Sequence, residues 1–199
     1  MKDEQIIKKI IIDLKEILIN LDANTGREFT LEFDSSSDFE GKNNYPIDFQ
    51  IFVEEFGFGE IGDNDVLLIC TVVPQVIPFS EIQDDYIPDD PSPEGILEGT
   101  NTTYKDARLV GYTASGEVFG YDKKTIPYKF ITTLDPGEPI YGSFLEFLSV
   151  QIKWGPMNLN KNNINENHEY ISDELRKWYK SLIPLASSKY FFERYAKLS

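Results

Sequence analysis

The sequence is short of the two residue types most used for nucleophilic and metal chemistry. Among 199 residues there is one cysteine and one histidine, with two methionines and two tryptophans. A single cysteine excludes an intrachain disulfide framework, and with one histidine there is no Cys/His cluster to hold structural zinc. Cys70 lies inside the apolar run VLLICTVV and reads as a small packed hydrophobe. His168, in NENHEYISDEL, stands beside a predicted helix start and reads as a surface or capping residue. Long apolar runs are missing too. The first 21 residues mix four acids and four bases into their isoleucines and leucines, which fits neither the core of a signal peptide nor a membrane span. The expectation is a cytoplasmic protein, in which Asn101-Thr102-Thr103 has no meaning as a glycosylation sequon.

Basic residues are absent where acids are densest. Net charge is −15, yet residues 1 to 21 are balanced, and residues 101 to 199 carry eleven acids and thirteen bases. Residues 22 to 100 hold nineteen acids against only Arg27 and Lys42. A segment so charged repels phosphate backbones and anionic lipid, so direct binding of nucleic acid or membrane is not expected. Its natural complement is a basic protein surface. The acids crowd most tightly in IPDDPSPEGILEGTNTT and the residues just before it, where Asp84, Asp85, Asp89, Asp90, Glu94 and Glu98 form a predicted exposed loop and the first candidate partner-binding surface. Glu54, Glu55, Glu60, Asp63 and Asp65 form the second. Glu54 and Glu55 are adjacent on a predicted helix, so they diverge around its axis and read as solvated rather than as an acid/base pair.

What is present is apolar mass, 41% of the residues, with 14% aromatics, enough for one domain without disulfides or metal. Ile6, Ile7, Ile10, Ile11, Leu14, Ile17, Leu18 and Leu21 recur at helical spacing. Phe29, Leu31 and Phe33 alternate as in a half-buried strand. In NNYPIDFQIFVEEFG, Asn44 suits the N-cap region, Pro46 the first turn and Asp48 the positive end of the helix dipole, while Phe49, Phe52, Val53 and Phe56 share a face. Strands are predicted over 66 to 73, 107 to 113, 117 to 121 and 128 to 134, with a turn at Ala114-Ser115-Gly116. A short helix is predicted in VIPFSEIQDDY. YGSFLEFLSVQIKW reads as a helix capped by Ser143 with Glu146 three residues on. An Asn-rich linker and two helical segments, near 169 to 182 and 184 to 197, follow. These elements predict an α+β fold: a central, mostly antiparallel sheet packed by helices over residues 1–155, with 156–199 a linker and helical extension on the same domain.

Gly57, Gly59 and Gly62 carry the G-x-G-x-x-G spacing of dinucleotide and ATP sites. Phosphate binding needs a strand before the glycines and a helix N-terminus after them. Here they follow a helix and precede the strand DVLLICTVV, with no base nearby, so Gly57 reads as a helix C-cap and no cofactor is expected. GDNDV likewise lacks the glycine and distal glutamate of a calcium loop, and no metal site is expected.

Two blocks resemble the SUKH superfamily of SMI/KNR-type cell-wall assembly regulators and bacterial toxin-immunity proteins. YPIDFQIFVEEFG is similar to its Pro-x-Asp-aromatic-x-x-Phe helix ending in glycine, and VGYTASGEVFGYD with YGSFLEFL to its glycine-containing hairpin and Ser-Phe-x-x-Phe-Leu helix. Together they span residues 45 to 150. Phe56 stands where many members have Asn, and the acidic loop is longer than theirs. The resemblance implies a non-enzymatic, cytoplasmic binding module, an immunity protein that covers the active surface of a cognate toxin, often a nuclease. A regulatory scaffold of the cell-wall-assembly kind and an uncharacterised enzyme are the alternative readings. Tyr112, Phe119, Tyr121, Tyr128 and Phe130 lie on predicted strands, and any tyrosine that projects from the sheet would add contact area for a partner.

Overall fold

The stripe of isoleucine and leucine at the N-terminus forms helix α1, Lys2–Thr25, in a computed structural model that describes residues 2–25, 30–34, 45–63, 67–72, 78–79, 94–97, 100–113, 118–125, 128–132, 140–149, 166–187 and 189–196. Ile7, Ile10, Ile11, Leu14 and Leu18 are buried, and Lys9 and Asp13 pair one turn apart on the wet face (2.6 Å). Strand β1, Thr30–Asp34, follows, and then helix α2, Ile47–Phe56. The N-cap of α2 is Pro46, in extended backbone, whereas Asn44 lies outside the described residues. Phe49, Ile51, Phe52, Val53 and Phe56 are buried.

The sheet has seven strands whose spatial order is their chain order, every neighbouring pair antiparallel. After β1 come β2, Phe58–Asp63, and β3, Leu67–Val72. They are followed by β4, Ala107–Thr113, β5, Val118–Asp122, β6, Lys129–Thr132, and β7, Ile140–Tyr141. The fold is therefore α+β. Within the ladder the register slips between β4 and β5, where Leu109 faces Gly120 but Gly111 faces Phe119, leaving Val110 as the extra residue of a bulge. Helix α3 includes residues 144–149; α4, Glu166–Leu182, and α5, Lys189–Ala196, complete the described elements.

Two of these strands were not expected. The stretch FGEIGD, read as a connection, is β2, and its glycines sit inside the ladder: Gly59 opposes Phe33 and Val72, and Gly62 opposes Thr30. β7 is two residues long, too short to leave a periodic signal. The short helix expected around 76 to 86 lies mostly outside the described residues, and Pro78 instead bridges to Arg108 at the margin of β4. The turn at 114 to 116 and the linker before α4 also lie outside them.

Adjacent residues of β5 and of β6 enter different apolar clusters, which places a core on each face of the sheet. Phe119, Tyr121 and Phe130 join the helix-side core with α1, α2, α3 and the C-terminal helices. Val118 and Ile131 join a smaller one with Phe79, Leu97, Ala107 and Leu109. The helix-side core is an aromatic stack: Phe144 meets Phe49, Phe52 and Phe130 edge-on with ring centroids 5.1, 4.9 and 5.3 Å away. Burial pushes the Tyr45 hydroxyl up to about 12 and raises that of Tyr121 as well, as expected of rings held in that core.

Candidate functional site

The second face of the sheet carries a smaller core and an exposed tyrosine. Register fixes which positions share it. Val118 opposes Tyr112, Tyr112 opposes Thr71, Thr71 opposes Glu60, and Glu60 opposes Glu32, so one cross-strand row runs from β5 to β1. Val118 is buried at the inner end of the row, in the smaller core, while Tyr112 is 42% exposed. Tyr112 is thus the sheet tyrosine that projects, whereas Tyr121 is buried and Tyr128 packs partly buried against the helix-side core.

The acidic segment is tied to this same face at both ends. Phe79 enters the smaller core fully buried, seated against Gly120, where a Cβ would stand 1.8 Å from the Arg108 carbonyl oxygen and 2.9 Å from the Phe79 ring. Only a glycine leaves that space. Leu97 enters the core from the other end, with its N–H donating to Thr102 O (2.9 Å), and Ile96 bridges to Thr103. Polar contacts fix the return. Thr102 and Thr125 hydroxyls donate to Asp122 Oδ2 (3.0 and 2.6 Å). Thr103 Oγ1 donates to Asp106 Oδ2, on which the Lys124 ammonium also closes (both 2.5 Å). Burial by itself would raise Asp106, but Lys124 and Thr103 outweigh it and hold the carboxyl below the usual aspartate range. Lys105 pairs with Glu94. The expectation of an exposed loop is therefore corrected at Leu97, which is a core residue, and the segment read as a short helix before the loop places Phe79 in the same core.

The second candidate group is divided. Glu54 and Glu55 lie on α2, across the sheet from the acidic segment. Glu55 pairs with Lys8 of α1 (2.7 Å), its carbonyl accepts from Lys15, and Lys15 stands over the Phe56 ring at 5.5 Å. Those contacts hold α1 against α2. Glu54 is exposed beside them. Glu60 shares a cross-strand row with Thr71 and Tyr112, whereas Phe58, two residues before it, packs into the helix-side core, and Asp63 ends β2 where the register with β3 shifts. Asp65, Asp84, Asp85, Asp89, Asp90 and Glu98 lie outside the described residues. A single flat interface can therefore take Glu94 or Glu54 and Glu55, but not both groups.

Two acids used for architecture were not singled out as such. Asp48 is buried, its Oδ1 accepting from Phe49 N and its Oδ2 from Leu145 N (3.0 Å each), so one carboxylate sits at the N-termini of both α2 and α3. Burial pushes its pKa up, while these backbone donors oppose that rise. Glu146 is 2% exposed and joins α3 to the segment between α4 and α5, accepting from Gly142 N (3.2 Å) and Ser187 N (2.7 Å). Ser143 Oγ caps Glu146 N (3.1 Å), as the sequence pattern predicts, but the Glu146 side chain reaches past the cap.

The three glycines of G-x-G-x-x-G take a helix C-terminus and a strand, not a helix N-terminus, so the backbone donors that bind phosphate are not aimed there. Among the described residues no group of three or more His, Cys, Asp or Glu is placed to hold a metal, and no helix is long and apolar enough to cross a membrane. Fold and surface together define an α+β protein with one helix-covered sheet face and one face that presents an exposed tyrosine and holds Phe79 and Leu97, the buried residues on either side of the acidic stretch in sequence. Compared with family models, with curated proteins and with solved structures, the chain matches none.

Proposed function

We propose that the chain is a non-enzymatic binding module of the cytoplasm that neutralises a basic protein domain, the active domain of a nuclease-type toxin being the partner class, in the manner of the SUKH immunity proteins its sequence resembles. The observation that carries this reading is the segregation of charge: nineteen acids against two bases in residues 22 to 100, with both ends of the densest stretch anchored on the sheet face that exposes Tyr112. A nuclease must offer basic residues to a phosphate backbone, and an acidic inhibitor competes for that field while the same charges speed its approach. Tyr112 supplies the kind of aromatic anchor that charge alone does not.

The test is association with the product of the neighbouring gene, followed against ionic strength. Asp89→Lys with Asp90→Lys should slow association and flatten its salt dependence. Tyr112→Ala should leave the association rate nearly unchanged and speed dissociation about tenfold or more. Identical salt slopes for wild type and the double variant would move the interface to the α2 side, around Glu54 and Glu55. No binding to any basic domain would end the reading.

A further inference from the structure

We draw no further inference here: the strongest candidate, the side-chain cluster of the buried carboxylates Asp48 and Glu146 at the start of α3, accepts backbone N–H groups from Phe49, Gly142, Leu145 and Ser187 and so belongs to the architecture already described.

Discussion

Asp106 shows how one buried carboxylate is kept charged. Its folded pKa lies below the ordinary value, so its contribution to stability is present above about pH 4 and is lost as pH falls through the lower folded value. Asp106→Asn should therefore lower the melting temperature at pH 7, and the gap from wild type should narrow progressively on acidification below the usual aspartate range, in thermal unfolding at a series of pH values. An offset that does not vary with pH would assign the loss to packing instead. Gly57 carries a backbone constraint that the sequence revealed only in part. Its φ is 90° and its ψ −161°, a region essentially closed to residues with a Cβ, and its N–H closes α2 on Val53 O at 2.8 Å. Gly57→Ala should cost about 1–3 kcal/mol in denaturant unfolding. A stop to the helix was legible because the glycine follows the last apolar position; the conformation was not, because ψ is set by the strand that begins at Phe58. Asp48 was legible as a dipole partner of α2, but its bond to Leu145 was hidden, since nothing local marks a contact 97 residues away.

Among the elements, those with a strong period were read correctly and those defined by their neighbours were not. α1 and α2 bury residues at helical spacing that survives in the sequence, whereas β4 and β6, buried on both faces, show as short apolar runs. β2 has two glycines in six residues and is a strand because β1 and β3 pair with it, information that no window of its own sequence holds. The C-terminal helices were visible from their amphipathic pattern and their packing on the same domain was expected, but not which residues they meet. Leu175, Trp178, Leu182 and Phe191 enter the helix-side core, the Trp178 indole N–H donates to Ile10 O at 2.9 Å, and the Tyr179 hydroxyl donates to Ser149 O. A fragment of residues 166–196 should accordingly show little helix by circular dichroism when isolated, because the faces it buries belong to α1 and α3. Trp178→Phe removes the indole N–H and part of the ring while the Ile10 carbonyl keeps its bond within α1, and about 0.5–1.5 kcal/mol should be lost with the hydrogen bond in urea unfolding. Phe144→Ala, which opens the centre of the aromatic stack, should lose about 3–5 kcal/mol by the same measurement.

For the molecule as a whole, charge and chain order act at different ranges. The excess of acid was legible in full, being a matter of counting, and so was its concentration before residue 101. Which acids remain for a partner was not legible, because Lys8 finds Glu55 and Lys105 finds Glu94 only in the folded chain. Strand order has a consequence for how the molecule is made. Each strand pairs with the one before it, so the sheet can zip up step by step as a nascent chain leaves the ribosome, with little chain entropy to lose at each closure. α1 is the exception, since part of its apolar stripe waits for Trp178, 168 residues downstream. The first helix to emerge is the last to be sealed, and a chain halted before α4 holds out an oily flank to whatever chaperone is nearest.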